Sequence, residues 1–182
     1  MTARIQLRPL QVDDAETLFA LVDGSRDTLS QWLPWVDNTR SAADSLAFIQ
    51  RTLADRASGT ALTWLILADG QPAGVCDLHA ISGLNRHASI GYWLADAYVG
   101  RGYLPQALGQ MLHTAFVELG LNRIDIISAA ANLRSCAVAE RSGFRQEGVL
   151  RGYLRIRERF WDARIYSLLA ADWQPQATEA DA

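Results

Sequence analysis

Two glycines between a strand-like run and a helical run constrain the fold of this chain more than any other feature. Residues 88–94, Ala-Ser-Ile-Gly-Tyr-Trp-Leu, have the composition of a strand, and Gly100 and Gly102 follow in the loop 99–104. Apolar residues then recur every three or four positions from Leu104 to Leu119, which predicts an amphipathic helix. A strand, a glycine loop and a helix in that order direct free backbone N–H groups at an anion. The pattern therefore predicts a phosphate-binding loop.

Neither of the two common nucleotide-binding motifs occurs in this loop. A Walker loop needs Lys followed by Ser or Thr, which is absent after these glycines. The dinucleotide fingerprint needs a third glycine where Pro105 stands. Pro105 suits the first turn of the helix, because an N–H there has no intrahelical partner. On the loop alone, a phosphate site and an ordinary glycine turn before a core helix are both open.

A second motif lies beyond the helix. Residues 123–130 are predicted to form a strand, and a short helix from Asn132 is expected to end at a glycine. This helix matches N-x-x-[SA]-x-x-[LV]-x-[EK]-x-x-G-F at Asn132, Ser135, Val138, Glu140, Gly143 and Phe144. In this motif the chain resembles the GCN5-related N-acetyltransferases (GNAT). Their acetyl-CoA loop is written Q/R-x-x-G-x-G/A, and Gly102 matches it, whereas Val99 and Leu104 depart from it.

The resemblance covers nearly the whole chain. Residues 90–94 and 84–86 are similar to the RimJ/RimL branch, the ribosomal-protein N-terminal acetyltransferases. The implied fold is mixed α/β (α+β), with a twisted, mostly antiparallel sheet of about six or seven strands, one splayed parallel pair and helices on both faces. The hydrophobic patterns agree, with strands predicted at 5–8, 61–68, 72–78, 88–94, 123–130, 150–155 and 163–169. Residues 1–173 are expected to be a single domain and residues 174–182 a disordered tail.

The composition limits the possible partners. A formal charge of −3 and a pI of about 5.6 argue against nucleic acid or an anionic membrane as the main partner. No apolar run is long enough to cross a membrane, so a cytoplasmic location is expected. Cys76 and Cys136 lack metal or redox spacing, and no metal is predicted. A monomer and a homodimer are both open.

The resemblance implies acetyl-CoA as the co-substrate. Loop N–H groups would hold its pyrophosphate, and the strand before the loop would pair with its pantetheine arm and donate to the oxyanion. The predicted cofactor residues are Tyr92, Trp93, Leu94, Val99, Gly100, Arg101, Gly102, Tyr103, Leu104 and Asn132. The Asn132 amide would bond pantetheine, but Asn is also a common helix N-cap, and both roles are compatible.

Ser135 is the predicted catalytic residue. In the RimJ/RimL branch this position is thought to protonate the departing thiolate, and the commoner acid of the wider family, a tyrosine four positions later, is replaced by Ala139. The alternative is a serine that bonds its own helix backbone.

The general base is harder to assign. Ser89 and Ile127 stand where many relatives carry a glutamate. Asp77 and His79, expected to flank a turn, would act through water or be structural. An α-amine has a reference pKa about 2.5 units below that of lysine, so it needs less help from a base. The missing glutamate therefore favours an α-amine.

The expected reaction is direct attack of a primary amine on acetyl-CoA in a ternary complex. The first choice of acceptor is the N-terminal α-amine of a protein or peptide. The alternatives are a small-molecule amine, such as an aminoglycoside, polyamine or amino-acid-like compound, and a non-catalytic acyl-CoA-binding protein. At least one of Trp32 and Trp35 is expected in the core; alternatively, both line the acceptor site.

Overall fold

The computed structural model describes residues 4–174. Seven strands form one sheet in the order β1-β2-β3-β4-β5-β7-β6. The strands are β1 Ile5–Pro9, β2 Leu62–Ala68, β3 Gln71–Ser82, β4 His87–Leu94, β5 Arg123–Ala129, β6 Arg145–Ile156 and β7 Arg159–Leu169. The helices are α1 Ala15–Asp23, α2 Arg26–Leu29, α3 Ala42–Ser58, α4 Tyr103–His113 and α5 Leu133–Arg141. The predicted tail at 174–182 lies outside the described residues, except for Gln174.

One pair of neighbouring strands is parallel. β4 and β5 run in the same direction, and every other pair is antiparallel. The reason is the connection, since α4 carries the chain from the end of β4 back to the start of β5, as a parallel crossover requires. The predicted class, a mostly antiparallel sheet with one parallel pair, is confirmed.

Helices cover both sides of the sheet. α1 and α3 place Leu18 and Ile49 against Leu65 and Val75, and we call this side the α3 face. α4 and α5 cover the other side, which we call the α4 face. There α4 buries the predicted apolar stripe, and the largest core cluster includes Leu108, Met111, Ala115, Cys136 and Ala139 of the helical segments with Cys76, Leu78, Ala88, Ile90, Ile124, Ile126 and Tyr166 of the sheet.

Strands β3, β6 and β7 are clearly longer than the sequence predicted, and β6 begins at Arg145 where the predicted strand began at residue 150. β3 continues beyond Leu78, so Asp77 and His79 lie inside a strand and do not flank a turn. The last hairpin has only Arg157 and Glu158 at its turn, and β7 already begins at Arg159. In both places the added residues are paired with a neighbouring strand, which apolar periodicity along one segment does not reveal.

Gly74 of β3 is required by a close backbone approach. A Cβ at this position would lie 2.1 Å from the Trp93 carbonyl oxygen and 2.8 Å from Leu94 Cα. We expect Gly74→Ala to lower the free energy of unfolding by roughly 1–3 kcal/mol or more, since backbone must move to admit the methyl group. Urea unfolding measures this, with Gly83→Ala as the control because a Cβ at Gly83 meets nothing within 4 Å. Equal midpoints for the two variants would contradict the close approach.

Candidate active site

The site begins where β4 and β5 separate. The two strands pair at only three positions, the last of which joins Ser89 to Asp125. Beyond it β4 pairs with β3 alone up to Leu94, and β5 pairs with β7 alone. The edge of β4 that faces β5 therefore has no strand partner within residues 4–174 along Tyr92, Trp93 and Leu94. An extended, amide-bearing ligand can add to such an edge as a strand does.

The glycine loop lies at the end of this open edge. Gly100 and Gly102 have φ values of +80° and +75°, a left-handed conformation that favours glycine, and Gly102 is the N-cap residue of α4. No protein acceptor within residues 4–174 bonds the backbone N–H of Gly100, Arg101 or Gly102. Alternating left-handed residues before a helix form an anion-binding concavity. The loop thus has the geometry of a phosphate site.

The side chains of the loop divide between core and solvent. Tyr103 is buried and its ring lies 6.2 Å from that of Tyr98, centroid to centroid, while Leu104 is partly buried. Val99 and Arg101 are exposed. Arg101 has no carboxylate within ion-pair distance among residues 4–174, so its charge is available to a bound phosphate.

A cleft lies between α4 and the end of α5. It has a volume of about 290 Å³ and is lined by Pro105, Leu108, Gly109 and Leu112 of α4, Arg141, Ser142 and Gly143 at the end of α5, and Leu168, Asp172, Trp173 and Gln174.

Asn132 and Ser135 begin α5 on the α4 face. Asn132 is the N-cap residue, and its Oδ1 accepts a 3.2 Å hydrogen bond from the Ser135 N–H. The capping interpretation of Asn132 is therefore confirmed. Its amide nitrogen has no bond to the described part of the protein, and its contact with pantetheine remains a prediction.

Sequence reasoning missed the phenol of Tyr92 as a partner of Ser135. Tyr92 Oη lies 3.1 Å from Ser135 Oγ and 3.2 Å from the Ser135 carbonyl oxygen. Burial raises the pKa of Tyr92 to about 12, so the phenol stays neutral near pH 7 and keeps a proton to donate. Alternation along β4 puts this side chain on the α4 face, a signal already present in the sequence. What the sequence lacked was the position of α5.

The expectation that Trp32 or Trp35 lies in the core is wrong. Trp35 is 38% exposed, and Trp32 is half-buried outside the buried clusters. Trp35 contacts Trp93 of β4, and Trp32 contacts Trp161 of β7, each pair with a centroid separation of 5.9 Å. The segment after α2 thus reaches from β4 to β7 on the α3 face. Both rings are held by other tryptophans, which periodicity along one segment cannot show.

Trp32 also lines a groove that sequence reasoning did not find. The groove has a volume of about 460 Å³ and lies between the segment after α2 and the tip of the last hairpin, lined by Ser30, Gln31, Trp32, Ile156, Arg157, Glu158, Arg159 and Trp161. The Arg159 guanidinium lies 4.1 Å from the centroid of the Trp161 ring, within the range of a cation–π contact. Arg157 is paired with Asp37.

The candidate bases lie on the α3 face. His79 Nδ1 is 2.5 Å from Asp77 Oδ1, and the Asp77 carboxylate raises the pKa of His79 above its ordinary value although partial burial opposes this. Ser89 and Ile127 supply no carboxylate.

The comparisons with known proteins identify the family. The model of the acetyltransferase (GNAT) domain matches residues 4–145. The chain belongs to the GNAT family. It is 36% identical to the putative ribosomal N-acetyltransferase YdaF of Bacillus subtilis (strain 168), over 93% of each chain.

Solved structures agree with this assignment. RimL, a ribosomal L7/L12 alpha-N-protein acetyltransferase in complex with coenzyme A, is 28% identical with a TM-score of 0.86, over 91% of this chain and 93% of that chain. The microcin C7 self-immunity acetyltransferase MccE, in complex with acetyl-CoA and AMP, is 29% identical with a TM-score of 0.87, over 91% of this chain and 92% of that chain. The RimJ/RimL resemblance, the GNAT fold and acetyl-CoA as co-substrate are confirmed.

The chain is thus an acetyl-CoA-dependent N-acetyltransferase. The alternative of a non-catalytic acyl-CoA-binding protein is therefore excluded. Among residues 4–174 no three His, Cys, Asp or Glu side chains are grouped to hold a metal ion. No helix in that part of the chain is long and apolar enough to cross a membrane.

Gly102→Ala tests whether the loop holds acetyl-CoA. Left-handed backbone costs alanine about 1–2 kcal/mol, so the loop would relax and turn its N–H groups away from the phosphate. We expect acetyl-CoA to bind about tenfold more weakly by calorimetry. Gly59→Ala is the matched control, because Gly59 has a φ of +72° at the end of α3 and, like Gly102, has none of the described residues within 4 Å of its Cβ position.

Equal losses of acetyl-CoA affinity in Gly102→Ala and Gly59→Ala would show that the loop does not hold the phosphate. The two variants should lose similar free energies of unfolding, since the backbone strain is the same in both.

Proposed function

We propose that this enzyme acetylates the N-terminal α-amine of a protein or peptide. The observation that carries the proposal is the aromatic segment after α2. Through Trp93 it contacts β4, and through Trp161 it contacts β7, so that it reaches across the splayed strands on the α3 face. The groove beside it has an exposed rim formed by the hairpin tip. Such a site admits a chain end whose following residues remain in solvent.

The chemistry on the α3 face supports an α-amine. Ser89 and Ile127 stand where many relatives carry a glutamate, so these two positions supply no carboxylate to deprotonate a lysine. An α-amine, with its lower pKa, is partly neutral at physiological pH. The names of the relatives YdaF and RimL point to ribosomal proteins as acceptors, and a ribosomal acceptor would place the enzyme in the cytoplasm.

Different residues near the point where β4 and β5 diverge would perform different steps of the reaction. The loop from Val99 to Leu104 would hold the pyrophosphate, and the open edge of β4 would bond the pantetheine arm. A backbone N–H of that edge would stabilise the oxyanion as the amine attacks the thioester carbon. When the C–S bond breaks, Ser135 would give its proton to the sulfur and recover one from the Tyr92 phenol, 3.1 Å away.

A small-molecule amine is the second candidate. The likeness to MccE, whose structure holds AMP, favours it, as does a groove in which Trp32, Trp161 and Arg159 offer flat surfaces for a ring. A planar acceptor would stack there, whereas a peptide would use the same surfaces for its first side chains.

A panel of amines separates the two candidates. We expect a hexapeptide with a free N-terminal serine to be acetylated with a kcat/KM at least about tenfold above that of the same peptide carrying a blocked N-terminus and one lysine, because the α-amine is the easier nucleophile. Thiol release measures the rate and mass spectrometry locates the acetyl group. Spermidine, an aminoglycoside and an aminoacyl adenylate analogue complete the panel. Preference for any of these or for lysine would overturn the peptide proposal.

Ser135→Ala tests the predicted acid. We expect kcat to fall about 100-fold, the usual effect of removing a general acid, while the acetyl-CoA Kd stays within about twofold. Ser45→Ala is the control, since Ser45 lies in the first turn of α3 with a buried hydroxyl that makes no hydrogen bond to the described residues. An unchanged kcat in Ser135→Ala would remove Ser135 from the mechanism.

A further inference from the structure

We propose that His79 is the general base that deprotonates the attacking amine and that Asp77 positions its ring. The inference rests on the proposed acetylation of an amine and adds the group that reaction still needs. It does not depend on whether the amine belongs to a peptide or to a small molecule.

The cross-strand register places the pair on the acceptor side of the splay. Asp77 lies opposite Gly91 and His79 opposite Ser89, and residues directly opposite in an antiparallel pair share a face. On that face Trp93 contacts Trp35 of the segment after α2. Ser89 is also the last residue of β4 that pairs with β5. His79 therefore lies on the α3 face, level with the point where the two strands part.

Gly91 leaves the space that the Asp77 carboxylate occupies. A Cβ on Gly91 would lie 3.0 Å from Asp77 Oδ2 and 3.1 Å from Oδ1. The carboxylate thus packs over the β4 backbone, beside the edge predicted to hold the thioester. From there it accepts the His79 Nδ1–H at 2.5 Å. This bond selects the tautomer whose Nε2 carries a free lone pair.

His79 is open to an incoming amine. Its side chain is 50% exposed, and Nε2 makes no hydrogen bond to the described residues. By contrast, the predicted acid Ser135 and its partner Tyr92 lie on the α4 face. The proposed proton acceptor on β3 and the proposed proton donor at the start of α5 therefore lie on opposite faces of the sheet.

The proton balance closes with these groups. The amine nitrogen attacks the thioester carbon, the N–C bond forms, and the nitrogen gives one proton to His79 Nε2. The tetrahedral intermediate collapses as the C–S bond breaks, and the thiolate takes a proton from Ser135. The products are an amide and a free thiol. His79 then releases its proton to water, and the Tyr92–Ser135 pair takes one up.

The groups around His79 determine the direction in which its pKa is shifted. The groups facing the pair from neighbouring strands are uncharged, namely Thr63 on β2 and Ser89 and Gly91 on β4. Two charged groups lie next to these neighbours. Arg56 donates from Nη2 to the carbonyl oxygen of Thr63 at 3.3 Å, and Asp125, which lies opposite Ser89, is paired with Arg123. The Asp77 hydrogen bond is the main influence and raises the pKa of His79 above its ordinary value. Below that pKa the ring is protonated and cannot accept.

The test is the pH profile of kcat/KM with the N-terminal-serine hexapeptide. In the wild type the logarithm of kcat/KM should fall toward low pH with a limiting slope of about two. The slope is two because both the α-amine and His79 must lose a proton before the reaction. In His79→Gln the slope should be about one, and kcat/KM at pH 8 should drop roughly 100-fold. The acetyl-CoA Kd should stay within about twofold, which also shows that the variant is folded. His79→Asn serves as a second variant.

Asp77→Asn tests the positioning role. Loss of the carboxylate should move the break that belongs to His79 to lower pH, since the charge that raised its pKa is gone. His113→Gln is the matched control. Like His79, His113 lies beside a carboxylate, with Nδ1 3.4 Å from Glu118 Oε1, but this pair is outside the site. Its profile should equal that of the wild type.

Three results would contradict the assignment. If His79→Gln keeps a limiting slope of two and a kcat/KM within about threefold of wild type, His79 is not the general base. The proposed function would not be affected by this result. An unmoved break in Asp77→Asn would overturn the role of Asp77. A wild type that binds acetyl-CoA but acetylates no amine of the panel would overturn the proposed function and the base together.

Discussion

The pairing of β4 with β5 at three positions, ending at Ser89 and Asp125, is the constraint on which the rest of the site depends. Because α4 crosses over between them, the strands are parallel and start side by side, and because they then diverge, each keeps a free edge. The glycine loop follows β4, and α5 follows β5, so both helix N-termini arrive at the same gap. A phosphate-binding geometry and a candidate acid thus meet without any direct contact between the two helices being required.

The central strand of this gap has different chemistry on its two faces. On the α4 face the Tyr92 phenol reaches Ser135, in a setting where burial keeps the phenol protonated. On the α3 face Gly91 has no side chain, and the Asp77 carboxylate fills its place. Because side chains alternate along a strand, the consecutive residues Gly91 and Tyr92 lie on opposite faces. The proposed proton donor and the proposed proton acceptor therefore lie on opposite faces of the sheet.

Much of the fold was predictable because its signals are local. The 3.6-residue period of α4, the glycines of the loop and Asn132 as an N-cap each depend on a few neighbouring residues. The predictions failed where a distant segment decides the environment. Trp32 and Trp35 have the composition of core residues, yet they pack on Trp161 and Trp93 at the surface. Similarly, β3 runs past Leu78, the end of the predicted strand, because β4 continues beside it.

By itself, the sequence determined the family, the co-substrate and the conformation of the loop, since left-handed glycines and a capped helix are properties of short segments. Only the tertiary structure decided which side chains share the site. Tyr92 and Ser135 are 43 positions apart, and Asp77 meets Gly91 through the register of two strands. Such contacts arise from sheet pairing and helix packing, which bring together residues that have no local signal in common.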